Sequence, residues 1–467
     1  MSRTFAERAH SALGDRQLQV ALGRATAQLA TRREDAFASL EDAEGVRDAA
    51  RAAKLEVLRD LADHLERFER QLQSNGVQVH WAEDGAQANR IVCEIAGAAG
   101  LKRAVKSKSM VTEEVHLNDA LEAAGIQVVE TDLGEYVVQL AKDRPSHIIA
   151  PIIHRTREEV GRIMHEGMGV PYSDDTGTLA RYARERLREE FLAADLGITG
   201  ANFGVVENGT LCLVTNEGNG RMVTTLPRVH VALMGIEKLV PTMADLDRLL
   251  KVLARSATGQ KLTTYTTLIR GPRRPGDDCG AVEMHVVLLD NGRSGILAGE
   301  TAEILGCIRC GACLNVCPVY KGIGGHAYGD TYAGPVGAIV TPGLRGLAAW
   351  RDLPFASTLC GACRDACPLR LDIPRMLLHL RSRVTQESGA PLGLRAAMKG
   401  FGIAATRPRL YRMAAGLARR LLRARAREGW VVSAPGMARG WTRARDLRAP
   451  ARATFQDLWR ARQKAKP

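Results

Sequence analysis

The chain has 467 residues, 45% hydrophobic and 25% charged, enough for two or three domains with buried cores, which excludes a disordered or fibrous protein. No apolar run nears the roughly 18 residues of a membrane span; Ile148-Ile149-Ala150-Pro151-Ile152-Ile153 comes nearest and is far too short. The net charge of +13 is uneven, because residues 391–467 carry 19 Lys and Arg against 3 Asp and Glu, a balance of +16 that leaves −3 for the rest. A solvated tail, an acidic partner subunit or an anionic membrane surface fits that segment, and nucleic acid fits poorly because no recognition motif accompanies the charge.

Residues 1–75 are rich in Ala, Arg, Glu and Leu at helical spacing, which predicts two or three packed helices. Arg and Ala at the start are what a transit peptide would carry, but the interspersed acids argue against one. The period changes at Asn75-Gly76. Val77-Gln78-Val79-His80-Trp81 reads as a strand, followed by a helix over 87–97, a strand near Ala104-Val105, a helix over 113–124 and a strand over 126–131. Further strands are expected at 147–153, 210–214, 229–233, 263–268 and 282–289. Such alternation predicts one α/β domain over 76–295, a parallel sheet covered on both faces.

Ligands of such sheets bind at the carboxyl ends of the strands. The polar loops there include Glu130-Thr131-Asp132-Leu133-Gly134-Glu135, Thr199-Gly200-Ala201-Asn202 and the stretch 215–221, whose Asn216, Glu217 and Arg221 are candidates for holding an anion. Lys106-Ser107-Lys108-Ser109 is a second polar loop of that kind. No dinucleotide-binding glycine fingerprint occurs, which argues against a nicotinamide enzyme. His147, His154 and His230 stand at the ends of expected strands, where histidines serve mostly as structural hydrogen bonders. Cys93 and Cys212 lie in apolar surroundings and read as core, whereas Cys279 reads as exposed.

The remaining seven cysteines form two runs. Cys307-Ile308-Arg309-Cys310-Gly311-Ala312-Cys313-Leu314-Asn315-Val316-Cys317-Pro318 has the spacing of bacterial two-cluster ferredoxins, and Cys360-Gly361-Ala362-Cys363-Arg364-Asp365-Ala366-Cys367-Pro368 answers it downstream. Three thiolates on a tight turn reach one cubane, while the fourth, before Pro, points to another. Cys307, Cys310, Cys313 and Cys367 are therefore expected to hold cluster one, and Cys317, Cys360 and Cys363 cluster two. Aligning the runs leaves Ser357 where Cys307 would stand. Cluster two is then a [4Fe–4S] cluster completed by Ser357, water or another group, a [3Fe–4S] cluster, or a cluster with an iron open to substrate. Zinc fits less well, since interleaved sets of seven do not divide into tetrahedral sites. A Gly-rich insertion, including 322–329, is expected to fold over the clusters. These runs predict an α-helical two-cluster ferredoxin-like domain over 296–387, then a linker at Ser388-Gly389-Ala390-Pro391 and a basic helical region over 388–467 with an amphipathic Arg-rich stretch at 412–427.

Lys108-Ser109-Met110, Glu113-Glu114, Leu117-Asn118, the 130–135 loop, Pro145-Ser146-His147 and Asn216-Glu217-Gly218-Asn219 resemble the segments of the lactate utilisation domain. Joined to the two cysteine runs, the chain resembles the lactate utilisation protein B family over roughly residues 50–400, and the serine at 357 resembles that family's own arrangement. The resemblance implies a parallel sheet akin to the NagB/RpiA and coenzyme A transferase group. It implies two iron–sulfur clusters and electron transfer during oxidation of L-lactate to pyruvate. The chain would then be a non-catalytic or co-catalytic subunit of an L-lactate dehydrogenase complex, supporting growth on lactate. Two partners are implied, a cysteine-rich subunit and a second lactate utilisation domain subunit, with a quinone-linked acceptor beyond them. The expected place is the cytoplasm, or peripheral at the inner membrane face. Two other readings stand beside it: the chain is itself a 2-hydroxy-acid dehydrogenase using an open cluster iron, or a redox-sensing or assembly protein.

Overall fold

The computed structural model describes residues 4–389, 392–434, 436–443 and 445–465. The chain divides into two compact units, 1–387 and 388–467. Four helices open the first: α1 (Phe5–Gly14), α2 (Arg16–Ala38), α3 (Ala43–Arg59) and α4 (Leu61–Ser74). Polar caps start them, with Thr4 and Glu7 bonding reciprocally at α1 and Asp15 and Asp42 accepting backbone N–H groups at α2 and α3.

Strands and helices then alternate: β1 (Gln78–Ala82), α5 (Gly85–Ala98), β2 (Arg103–Lys106), α6 (Met110–Glu114), α7 (Leu117–Ala123), β3 (Gln127–Glu130), α8 (Leu133–Leu140), α9 (Arg157–Met168), α10 (Thr176–Ala193) and β4 (Leu196–Thr199). They continue with β5 (Phe203–Val205), β6 (Thr210–Thr215), α11 (Asn219–Thr225), β7 (Val229–Gly235), β8 (Leu239–Val240), α12 (Met243–Ala257), β9 (Tyr265–Ile269) and β10 (Glu283–Leu289). Six strands make an all-parallel sheet in the order β1-β10-β7-β4-β2-β3. Its faces follow the two-residue period: Val229, Val231 and Leu233 pack with Ala88, Val92, Leu117 and Leu121, while Ala232 and Met234 pack with Leu65, Phe68 and Leu72 of α4. Both faces are buried, as the sequence predicts.

The sequence also misleads in three places. The expected strand at 147–153 is a turn: Ser146 N–H bonds the Pro151 carbonyl at 3.0 Å, and His147 Nδ1 accepts from the N–H groups of Ile149 and Ala150 at 3.1 and 3.3 Å. Prolines at both ends withhold ladder donors, and the apolar side chains find cover against the cysteine-bearing segment instead. Residues 210–214 and 263–268 do form strands, but β6 and β9 lie in a second, four-stranded sheet, order β8-β5-β6-β9. The helix expected over 113–124 breaks at His116, which takes a φ of 54°.

Six more helices complete the first unit: α13 (Arg293–Leu297), α14 (Ala312–Val316), α15 (Pro318–Ile323), α16 (Gly334–Arg345), α17 (Ala362–Ala366) and α18 (Ile373–Ser388). Helix α2 packs against α12, α14 and α15. One apolar core therefore joins Leu22, Phe37 and Leu58 to Leu249, Cys310, Cys313, Tyr320 and Tyr328. The Gly-rich insertion folds into that core through Tyr328 and Tyr332, and Gly325 passes so close to Ser146 that a Cβ would stand 1.9 Å from its carbonyl oxygen.

The second unit holds α19 (Leu392–Ala405), α20 (Pro408–Ala424), a short β11 (Trp430–Val431) and β12 (Leu447–Arg448) pair, and α21 (Phe455–Lys464). Helix α20 covers most of the predicted amphipathic stretch, with Tyr411, Met413 and Leu417 exposed. Ala390 and Pro391 of the expected linker lie outside the described residues. Among the described residues no helix is long and apolar enough to cross a membrane.

Candidate metal centre and the adjoining cavity

The two cysteine runs repeat one backbone at an offset of 50 residues, from Cys310 to Cys360. Arg309 and Leu359 both take the left-handed conformation, φ 58° and 56°, and Gly311 and Gly361 follow at 75° and 86° before α14 and α17. Arg309 N–H donates to Cys307 Sγ at 3.4 Å; Leu359 N–H donates to Ser357 Oγ at 3.1 Å. Ser357 thus fills the turn position of Cys307 with oxygen in place of sulfur. Pro318 opens α15 after Cys317, whose Sγ accepts from Tyr320 N–H at 3.5 Å.

The thiols influence one another in two groups that cross between the runs. Cys367 and Cys307 are the thiols acting most on Cys310, and Cys307, Cys310 and Cys367 act ahead of Cys363 on Cys313. Cys317 and Cys360 act on Cys363, and Cys360 on Cys317. Burial, then neighbouring thiols, pushes Cys363 up to about 12, while burial pushes Cys367 up to about 11. Such thiols stay protonated until a metal displaces the proton. Cys360 differs: it is exposed, and hydrogen bonds from Thr358 and the Ala362 N–H hold its thiol below the ordinary value. All ten cysteines are free, and the donor set fits thiolate-ligated iron.

A buried ionic chain ties the first run to the α/β domain. Arg293 Nη2 bonds Glu114 Oε2 at 2.8 Å and its Nε bonds Glu237 Oε2 at 2.7 Å, while Tyr332 OH donates to Glu114 at 2.6 Å. Arg309 Nη2 stands 3.7 Å from the other oxygen of Glu237, and its guanidinium lies 4.7 Å over the Tyr332 ring. Burial alone would raise the Glu237 carboxyl; Arg293, Lys238 and Arg309 overcome it and hold the group at about 2. Lys54 donates to the carbonyl of Leu239 at 2.9 Å, and burial brings its ammonium down to about 7.

Beside this chain lies a cavity of about 280 Å³, walled by residues that include Lys108, Ser109, Asn202, Thr215, Asn216, Glu217, Lys238 and Arg309. Its position follows from topology. After β2 the chain goes to β3 at the edge and then returns past it to β4, so the loops after β2 and β4 part at their carboxyl ends, where a crevice forms. Lys108 and Ser109 follow β2, Asn202 follows β4, Lys238 follows β7, and Arg309 comes from the cysteine loop. Burial, then the charge of Asp132, pushes the Glu217 carboxyl up to about 7, while its bond from Leu133 N–H works the other way. Glu217 itself is solvent-exposed, so screening shrinks what this shift is worth to stability.

Of the anion-loop candidates, Asn216 and Glu217 line this cavity. Arg221 is exposed on α11 and lines a different one with His230, Tyr265 and Cys279. Lys106 is buried in ion pairs with Glu130 and Glu113 at 2.7 and 2.9 Å. His147 Nε2 pairs with Asn315 Oδ1 at 3.2 Å, and His230 Nε2 with Thr199 Oγ1 at 2.9 Å, both structural roles. Cys212 is buried, whereas Cys93 is only half-buried. Sequence reading misses Lys238 and Arg309; a charged residue after a strand end and one inside a cysteine loop were the available signals. It also misses Asp143 and His326 and reads His154 as structural alone; ligand atoms of the three lie within 4.8 Å of one another and could hold a metal ion, although Arg155 already pairs with Asp143 at 2.5 Å.

Residues 65–289 match the LUD domain, 303–371 the 4Fe-4S dicluster domain, and 379–464 the C-terminal region of lactate utilisation protein B. The chain is thus an iron–sulfur protein that joins a LUD domain to a dicluster domain. It is 43% identical to the lactate utilization protein B of Shouchella clausii, covering 98% of this chain and 97% of that one, and 41% identical to the one from Bacillus licheniformis, covering 100% and 98%. The chain belongs to the lactate utilisation protein B family. The crystal structure of a DUF162 family protein from Deinococcus radiodurans covers 49% of this chain and 98% of its own, at 16% identity and a TM-score of 0.26.

Proposed function

We propose that this chain is the electron-transfer iron–sulfur subunit of a system that oxidises L-lactate to pyruvate. In this reading it carries two clusters: Cys307, Cys310, Cys313 and Cys367 hold a [4Fe–4S] cluster, and Cys317, Cys360 and Cys363 hold a second with Ser357 at its open corner. The observation that carries the reading is the grouping of thiols across the two runs, which sets Cys367 with the first run and Cys317 with the second. Lactate gives up two electrons and a cubane takes one, so a pair of clusters suits the stoichiometry. The chain's residues contribute burial, which tunes potential, and the cations Lys54, Lys238 and Arg309 near Cys307, which favour the more negative reduced state.

The same reading places the chain in the cytoplasm or peripherally at the inner membrane face, with a cysteine-rich subunit and a second LUD-domain subunit as partners and a quinone-linked acceptor beyond. The basic second unit supports an acidic partner or headgroup layer. A kinship of the parallel sheet with the NagB/RpiA and coenzyme A transferase group also belongs to it, supported by the six parallel strands with helices between them. Anaerobic purification with iron and sulfide quantitation tests the reading. About eight irons per chain, with paramagnetic signals from L-lactate when partner subunits are added, is the expected result. About four irons, or zinc in their place, would sink it.

A further inference from the structure

The strand-end cavity keeps polar groups that the protein itself does not satisfy. Lys238 is 8% exposed, yet among the described residues its ammonium makes neither a hydrogen bond nor an ion pair. Arg309 is 7% exposed, and its Nη1 has no hydrogen-bond partner; Thr215 Oγ1 on the same wall has none either. Glu237 attracts Lys238 more than Arg309 repels it, but of the two cations only Arg309 comes within ion-pair distance of that carboxylate, at 3.7 Å. An ammonium without a hydrogen bond and orphaned polar atoms facing one space cost free energy unless a ligand with acceptor oxygens completes them. Lys108 adds a third cation, already paired with Glu135. The volume, about 280 Å³, is below the range for nucleotides and drug-sized ligands, so the anion is small.

We propose that this cavity binds a small 2-hydroxy or 2-keto carboxylate, with Lys238 and Arg309 on its carboxylate and Thr215 and Asn216 on its C2 oxygen. The naming of that substrate class rests on the proposed function, whereas the anion site rests on the cavity alone. Glu217 at the rim offers a carboxylate oxygen as a hydrogen-bond acceptor to a C2 hydroxyl. Since Arg309 lies between Cys307 and Cys310, the ligand sits against the loop of the first cluster.

The test is calorimetric titration of the anaerobic, iron-loaded full chain with pyruvate, L-lactate and propionate. One molecule of pyruvate binds per chain; Lys238→Met weakens it at least tenfold, and Lys238→Arg restores most of the affinity. Thr215→Val weakens pyruvate and L-lactate but leaves propionate, which lacks the C2 oxygen, unchanged. Binding of pyruvate that Lys238→Met and Thr215→Val leave unaltered would overturn the site. So would a shift of the first cluster's potential in Lys238→Met with no carboxylate bound by any form, because the cations would then serve the cluster alone. Iron content, measured on the same samples, judges the two-cluster reading separately.

Discussion

The first cysteine loop is enclosed and the second is open. Ile308, Arg309, Cys310, Gly311, Ala312, Leu314 and Asn315 are all buried, whereas at the equivalent places Thr358, Cys360, Arg364 and Asp365 are exposed. The backbones are the same, so the difference lies in what surrounds them. The first loop is held by the Arg309–Glu237–Arg293–Glu114 chain and by His147; the second is held by Arg381, which donates to the carbonyls of Pro354 and Ser357 at 2.8 Å each. One fold repeat thus faces the strand-end cavity and the other faces solvent.

Removing the anchor of the enclosed loop should have the largest effect on folding. Arg293→Met leaves Glu114 and Glu237 buried without their main partner, and a loss of about 3–5 kcal/mol in urea unfolding is expected. A loss below about 1 kcal/mol would break the contrast, since the ionic chain would not then be what secures the first loop.

A pH comparison sharpens it. His230, inside the parallel sheet, is brought down to about 4 by burial and then by His285. Its folded value lies below its unfolded value of roughly 6.5, so its stabilisation is complete above that pH and is lost as pH falls towards 4. Between pH 7 and 5 the wild type should lose about 2 kcal/mol more than His230→Gln, measured by denaturant unfolding. Equal losses would show that His230 does not report on the buried side.

On the open loop, Ser357→Ala removes one half-buried hydrogen bond and should cost about 1 kcal/mol. Ser357→Cys keeps the turn and makes the loops chemically alike, so the second cluster should hold its fourth iron against oxidation; faster iron loss in the cysteine variant would mean that position 357 does not face the cluster. Smallest of all is Arg221→Ala, which should leave pyruvate binding within error of wild type. A tenfold weakening would move the anion site to the other cavity.

The cysteine loops were legible because their chemistry is local: spacing, a glycine and a following proline define each turn within a dozen residues. The parallel sheet was legible for the same reason, through the period of β1, β2, β3, β7 and β10. The cavity was legible in part: the polar loops at 106–109, 199–202 and 215–221 were expected to gather at strand ends and do line it, but Lys238 and Arg309 join them only when the end of β7 and a cysteine loop converge there. Nothing near Lys238 in sequence marks its ammonium as unpaired. The 147–153 run misled because apolar content alone does not separate a strand from a turn pressed against a core, and His147 capping its own turn has no strand counterpart. Strands β5 and β8, of three and two residues, are too short for a period to show.

The most direct measurement is electron paramagnetic resonance with iron quantitation on Cys310→Ser, Cys360→Ser and Cys367→Ser, purified anaerobically. Cys367 lies in the second run but stands with the first set of thiols, so Cys367→Ser should lose the signal that Cys310→Ser loses and retain the one that Cys360→Ser loses. If Cys367→Ser instead matched Cys360→Ser, each run would hold its own cluster, and the crossed arrangement would be wrong.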